Sequence, residues 1–237
     1  GSGITALTLD MSAAGAATFN STINGVGISS DISNFSESML ISNDAGTGTL
    51  SSATNNTGFG YEVFDDLTSG VSNTAFGRKA LTVNTTGGSN TAIGMNALIA
   101  NTTASNNTAV GKQALTSNTT GANNTAVGMK SLEANTTASN NVAVGYLSLD
   151  ANTTGTENVA IGKSALTENT TADANTAVGF NALALNTTGA SNVAIGKDAL
   201  DSNTTASNNV AIGVDSLQAN TTGSSNTAVG KSALTSN

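Results

Sequence analysis

One stretch decides the fold of this chain: residues 158–174 read NVAIGKSALTENTTADA, and the same 17-residue pattern recurs from Asn56 to the last residue. Ten full copies and most of an eleventh follow one another without an insertion or deletion. We number the positions of one copy from 1 to 17, starting at its first asparagine. A strict tandem period indicates a repeat architecture in which each copy is one structural unit.

The length of the period selects the class of repeat. It is too short for a helical hairpin repeat, which needs roughly thirty residues or more, but it suits one coil of a β-solenoid made of two or three short strands and tight turns. The sequence therefore predicts an all-β fold in which residues 56–237 form a parallel β-solenoid of about eleven 17-residue coils. Residues 1–55 form an N-terminal region without the repeat, expected to be a β-hairpin plus a connector.

The first strand of each coil carries Asn, Thr or Val, Ala, Val or Ile, and Gly at positions 1 to 5. Side chains alternate across a strand, and we expect positions 2 and 4, with the leucine of position 9, to form the apolar interior. The small residues of positions 1, 3 and 5, such as Ala109 and Gly111, then face outward. An unbroken small strip indicates that another backbone or sheet packs against it. The alternative is that small residues merely suit a flat strand beside a glycine turn.

A second asparagine occupies position 12, in the tripeptide Asn-Thr-Thr. If one copy is one coil, these side chains stack about 4.8 Å apart and form an amide ladder that donates and accepts along the axis. Each Asn-Thr-Thr is also a glycosylation sequon, but a glycan on every stacked asparagine would crowd the turn. The predicted ladder consists of Asn84, Asn101, Asn118, Asn135, Asn152, Asn169, Asn186, Asn203 and Asn220.

From Gly87 to Gly223, position 15 alternates strictly between glycine and alanine, which gives a superperiod of two copies. Gly155 and Ala172 are one such pair. Because both residues suit a small turn position, the alternation is interpreted as a record of tandem duplication rather than as a functional difference.

Composition excludes several kinds of site. The chain has no Cys, His, Trp or Pro, so the common zinc, iron and copper sites and the Ser-His and Cys-His nucleophile pairs are unavailable. Asp65 and Asp66 are adjacent carboxylates of the type that binds calcium or hydrolyses glycans, but an exposed turn explains them equally. We expect no catalytic residue, no cofactor and no metal, and hence no enzyme.

The charge balance bears on partners. Seven basic against 15 acidic residues give a net charge of −8, which argues against nucleic acid because its phosphates would be repelled. No apolar run approaches the roughly 20 residues of a membrane span, so we expect no membrane insertion.

The N-terminal region has its own patterns. Residues 5–11 and 17–23 predict the two strands of a hairpin. A short helix is predicted next, with strand or loop as alternatives, because apolar residues recur at spacings of four, three and four. These residues are Ile28, Ile32, Phe35 and Met39. The Gly, Ser, Thr and Asn content of residues 42–55 predicts a loop into the first coil.

The repeats resemble those of known fibre proteins. The units around residues 89–103, SNTAIGMNALIANTT, look like repeats of phage tail-fibre and related surface-fibre proteins, over about three quarters of the chain. Residues 158–162 are similar, more loosely, to the N-x-V-A-I-G repeat in the heads of YadA-like trimeric autotransporter adhesins, whose repeat is shorter. Residues 6–10 and 17–20 resemble strand pairs that precede such regions. The resemblance implies a left-handed parallel β-roll assembled as a homotrimer, with the small strip toward the threefold axis.

These features predict a structural fibre segment, the shaft or head of a phage tail fibre or of a similar trimeric surface adhesin. Its location is then a virion tail fibre or the extracellular cell surface. Its expected partners are two further copies of itself and a host cell-surface glycan or protein receptor. Candidate receptor contacts are Tyr61, Tyr146 and Phe180 at position 6, because exposed aromatic rings can stack on sugars. Alternatively, these rings fill gaps between chains or cover a turn.

Two other functions remain open at this point. A monomeric ice-binding β-solenoid is the main alternative, since stacked threonines can order water, although the adjacent threonines of Asn-Thr-Thr leave only one of each pair outward. A solenoid enzyme acting on polysaccharide needs carboxylates clustered at one level of the rod, and none stands out.

Overall fold

A computed structural model describes residues 22–23, 26–32, 35–42 and 51–236. Within these residues, fourteen strands form one sheet in chain order, β1 to β14. The last eleven strands are parallel, and each belongs to one 17-residue repeat. The predicted all-β β-solenoid of 17-residue coils is therefore confirmed.

Three strands precede the regular repeats. β1 (Thr22–Ile23) pairs antiparallel with β2 (Val26–Ile32), and β2 pairs antiparallel with β3 (Phe35–Ser42). β3 then pairs in parallel with β4 (Thr57–Phe59) and so covers the N-terminal end of the solenoid. The hairpin expected from residues 5–23 lies outside the described residues, apart from β1.

The short helix predicted in this region is wrong, because Ile28, Ile32, Phe35 and Met39 belong to β2 and β3. The pairing of the two strands sets Ile32 opposite Phe35. Ser, Asn and Asp residues between the apolar ones compete with the helical backbone for hydrogen bonds. A two-strand ladder satisfies those backbone groups in another way, and the strand alternative holds.

The eleven coil strands are three residues long and lie in exact vertical file. Each residue pairs with its equivalent 17 residues along the chain, as Ile161 does with Val144 and Val178. The strands after β4 are Thr74–Phe76, Thr91–Ile93, Thr108–Val110, Thr125–Val127, Val142–Val144, Val159–Ile161, Thr176–Val178, Val193–Ile195, Val210–Ile212 and Thr227–Val229, which are β5 to β14.

Each described coil has one strand rather than the predicted two or three. Positions 7, 9 and 17 hold left-handed φ angles in every coil, as at Ser164 (56°), Leu166 (52°) and Glu157 (60°). This conformation cannot continue a strand. The turns still bond to their neighbours, since Leu166 N donates to Ala182 O at 3.0 Å and Ser164 N to Tyr146 O at 3.0 Å.

The strand faces are opposite to the prediction. The alanine of position 3 is buried and packs with the leucine of position 9, as Ala160 and Leu166 do, both at 0% exposure. The residue at position 4 points outward, with Ile161 at 40% exposure. The expectation that positions 2 and 4 fill the interior and that the small strip faces outward is wrong. One coil is so narrow that a leucine and two asparagines leave room only for a methyl group opposite them.

The stack of coils begins before Asn56. Ser72 N donates to Thr54 O at 2.9 Å, which is the contact that later coils make with one another. Ala53 is fully buried at a place equivalent to position 15, and Leu40 of β3 packs against the core. Residues 51–55 and β3 thus supply parts of an irregular coil at the N-terminal end.

Candidate functional site

The position-12 asparagines lie in one file inside the solenoid and are at most 1% exposed. Asn152 Nδ2 donates to Asn135 Oδ1 at 3.0 Å and to Gly155 O at 3.0 Å. Asn152 Oδ1 in turn accepts from Asn169 Nδ2 at 3.0 Å. The amide-to-amide bond, 2.8 to 3.1 Å long, joins every successive pair from Asn84 to Asn220.

This geometry bears on the sequons. A glycan would have to be joined to the side-chain nitrogen, and in Asn152 both of its hydrogens are donated inside the coil. The same nitrogen lies away from solvent, because the residue is fully buried. The folded coil therefore leaves no room for a sugar at these positions.

A second ladder, which the sequence reasoning missed, is formed by the asparagine of position 1. Asn158 N donates to Asn141 Oδ1 at 2.9 Å, and Asn158 Nδ2 donates to Ala172 O at 2.8 Å. The same carbonyl of Ala172 accepts from Asn169 Nδ2 at 3.1 Å, so both ladders meet on one oxygen in each such coil. The constancy of this asparagine was the available signal. The expectation that positions 1, 3 and 5 face outward hid the buried role of this asparagine.

The three candidate receptor aromatics are exposed but not brought together. Tyr61, Tyr146 and Phe180 are 39%, 40% and 40% exposed and lie in the first, sixth and eighth coils. Cations of neighbouring coils stand over two of the rings: Arg78 Cζ lies 5.8 Å from the centre of Tyr61, and Lys163 Nζ lies 5.6 Å from that of Phe180. Position 6 is thus a single outward file of rings and cations.

The outward side chains of position 4 form a second file, which we call the apolar face. Phe59 and Phe76 stack with their ring centres 5.0 Å apart. The remaining members are Ile93, Val110, Val127, Val144, Ile161, Val178, Ile195, Ile212 and Val229. Seven of these eleven side chains are more than a third exposed. A continuous apolar file of this kind is unusual on the surface of a lone soluble chain.

Asp150 at position 10 is the most perturbed acid among the described residues. Partial burial, followed by the negative charge of Glu133 in the preceding coil, raises the pKa of Asp150 to about 6. Lys130 offsets part of this effect, but it pairs with Glu133 at 2.9 Å. One oxygen of Asp150, Oδ1, is buried without a hydrogen-bond partner.

Asp150→Thr is expected to raise the free energy of unfolding by about 1 kcal/mol at pH 7, after the effect of a two-unit shift is discounted for solvent. The folded chain holds the Asp150 proton more tightly than the unfolded chain, so the wild-type protein loses stability as pH rises from about 4 to about 6. The gain from the substitution is therefore present at pH 7 and absent below about pH 4. Threonine fits here, because Thr116 at the same position donates to Asn96 O at 3.1 Å. Urea unfolding at pH 4 and pH 7 checks the prediction: a gain at pH 7 that persists unchanged at pH 4 contradicts it.

The fold and these files define the chain as a tandem-repeat β-solenoid protein. Comparison with models of protein families, with curated proteins and with solved structures found no match. In the part of the chain that the structure describes, no helix is long and apolar enough to cross a membrane. The same residues hold no cluster of three or more acidic side chains arranged to bind a metal ion.

Proposed function

We propose that this chain is a structural fibre segment, the shaft or head of a phage tail fibre or of a similar trimeric surface adhesin, on a virion or a cell surface. The observation that carries the proposal is the apolar face. Exposed Phe, Ile and Val side chains form a file along the whole rod. Covering this file with another surface removes apolar area from water and is therefore favourable.

A further copy of the same chain is the partner that fits this face best. The coils repeat at about 4.8 Å along the rod, and only a surface with the same rise can meet the face level by level over roughly 50 Å. Three copies around one axis can bury all three faces together. Trimeric assembly and a left-handed coil are what the resemblance to fibre proteins implies, and both belong to the proposal.

The interior suits a mechanical role. Every coil is joined to the next by backbone hydrogen bonds and by the position-1 asparagines, as Asn158 is to Asn141. From the second coil to the tenth, the position-12 asparagines join successive coils as well, as Asn152 is to Asn135. Nearest-neighbour stacking of this kind makes a rod in which each coil templates the next. Such a rod holds a receptor-binding part away from the particle or the cell.

A monomeric ice-binding solenoid is the second candidate, because the threonine of position 14 forms one exposed file. Thr154 and Thr171 are exposed in successive coils. The neighbouring threonine of position 13 is committed to the backbone, since Thr153 Oγ1 donates to Thr170 O at 3.0 Å. A single threonine file orders less water than a double file, which favours the fibre.

Light scattering is expected to give a mass of about 70 kDa, three times the 23.1 kDa of one chain. Ile161→Asp should weaken association by more than about tenfold, because three carboxylates would be buried near one axis. Thr171→Asp is the matched control, since it adds the same charge at an exposed position 14 and should remain trimeric. A wild-type monomer that shows thermal hysteresis would overturn the fibre proposal in favour of ice binding.

A further inference from the structure

All seven lysine and arginine residues lie on one edge of the solenoid, at positions 6 and 7. Five are at position 6, and the other two, Lys79 and Lys130, are at position 7. We call the position-6 side chains of the eleven coils the crest. From the first coil to the last, the crest reads YRMKMYKFKVK and contains no acid. Cations alternate with aromatic or apolar residues except at Met129 and Tyr146, which follow each other. Positions 6 and 7 together carry these seven cations and three acids, Glu62, Asp198 and Asp215, so this edge is basic although the chain carries a net charge of −8.

The crest cations are available to a ligand. Lys112, Lys163 and Lys231 are exposed. Within the described residues, the ion pairs join Lys79 to Glu62, Lys130 to Glu133 and Lys197 to Asp198. Of the five crest cations, only Lys197 takes part in one of these pairs. An anion laid along the crest would therefore meet four cations outside these ion pairs, and it would compete with Asp198 for Lys197.

The spacing of the cations selects the shape of the ligand. Lys163, Lys197 and Lys231 lie in the seventh, ninth and eleventh coils, with Phe180 and Val214 in the coils between them. Two coils rise by about 10 Å, a length close to that of two linked sugar rings in an extended glycan. One carboxylate per disaccharide would thus meet one lysine, while the intervening ring lies against Phe180 or Val214.

Nucleic acid fits the crest poorly. A DNA duplex carries one negative charge per about 1.7 Å of its axis, whereas the crest offers one cation per about 10 Å. The net charge of the whole chain adds repulsion. A membrane surface would touch only one file of side chains on this narrow edge.

We propose that the crest binds a linear acidic polysaccharide lengthwise, with one disaccharide for every two coils from the seventh coil to the eleventh. This inference rests on the proposed attachment function and names the class of ligand that such a segment would hold. Lysine supplies the charge contact with the carboxylate, and the part of the Phe180 ring that Lys163 leaves exposed supplies an apolar platform for a sugar face.

Titration calorimetry with a hyaluronan decasaccharide in about 50 mM salt tests the proposal. Wild-type protein should bind it, and carboxyl-reduced hyaluronan of the same length should bind at least about tenfold more weakly. The triple variant Lys163→Gln, Lys197→Gln, Lys231→Gln should lose about tenfold in affinity, the product of three roughly twofold contacts. The triple variant Thr171→Glu, Thr188→Glu, Thr205→Glu changes the net charge equally on another edge and should keep most of the affinity.

A charge-conserving variant tests the register itself. Lys197→Val combined with Val214→Lys keeps the composition and the net charge but breaks the two-coil spacing, and it should lose roughly threefold or more in affinity. Binding by this variant equal to wild type, equal losses in the two triple variants, or tighter binding of single-stranded DNA or of anionic phosphatidylserine vesicles would overturn the proposal. Light scattering on the same samples separates failure of this inference from failure of the proposed fibre function. An intact trimer that does not bind the glycan would overturn only the polysaccharide proposal.

Discussion

Gly162→Ala is expected to lower the free energy of unfolding by about 3–5 kcal/mol. Gly162 at position 5 has a φ of 134°, a conformation that residues with a side chain rarely adopt. An added Cβ would also meet the carbonyl of Gly179 in the next coil, 2.7 Å from its carbon atom. That backbone cannot withdraw freely, since Gly179 N donates to Ile161 O at 2.8 Å. Urea unfolding followed by far-UV circular dichroism measures the loss.

Thr171→Ala is the matched control for this change. It lies in the same coil, is exposed, and should alter stability by no more than about 0.5 kcal/mol. If the Gly162→Ala variant unfolds at the same urea concentration as the control, the close approach of successive coils does not require glycine at position 5.

Asn152→Ala is expected to cost about 3–5 kcal/mol. The change removes the bonds to Asn135 Oδ1 and Gly155 O and leaves a buried hydrogen of Asn169 Nδ2 without its acceptor. Each buried polar group left unpaired costs about 1–3 kcal/mol. The midpoint of urea unfolding, with the slope held in common, measures the effect.

Asn152→Leu separates hydrogen bonding from volume. Leucine is accepted at position 12 in the first coil, where Leu67 is buried. In the middle of the ladder, leucine should restore apolar contact but not the amide partners, and it should remain at least about 1 kcal/mol less stable than wild type. A leucine variant as stable as wild type would mean that packing, rather than the ladder, stabilises this file.

The period was enough to predict the coil, because a fixed repeat without insertions can stack like on like only when each copy makes one turn. The predicted asparagine file at position 12 lies buried in register, with Asn84 at one end of the hydrogen-bonded series and Asn220 at the other. The N-terminal helix failed for a different reason. Four apolar residues give a helical spacing by coincidence, whereas the pairing of two strands depends on partners that spacing does not reveal.

The two faces of the strand were assigned the wrong way round. Alternation fixes that positions 3 and 4 point in opposite directions, but not which direction is inward. β-Branched residues are usually interior, and here Ile161 is exposed while Ala160 is buried. The choice depended on the width of the coil, which only the assembled turn reveals.

The glycine and alanine alternation at position 15 has a steric side that the sequence did not reveal. A Cβ on Gly155 would lie 2.5 Å from Asn152 Oδ1 and would meet the carbonyl of Ala172. The glycine coils therefore have a close contact between ladder and turn that leaves no space for a methyl group in this backbone. Duplication of paired units remains a prediction about its origin.

The sequence by itself determined the period, the class of fold and the buried asparagine file, because these follow from local repetition and from the alternation of side chains along a strand. Only the tertiary structure decided which face is inside, how many strands a coil holds and where the apolar face and the crest lie. The physical reason is that a 17-residue coil encloses very little volume. Residues at positions 7, 9 and 17 have positive φ angles, and the turns they form bring leucine and two asparagines into that space. The larger β-branched side chains must then face outward.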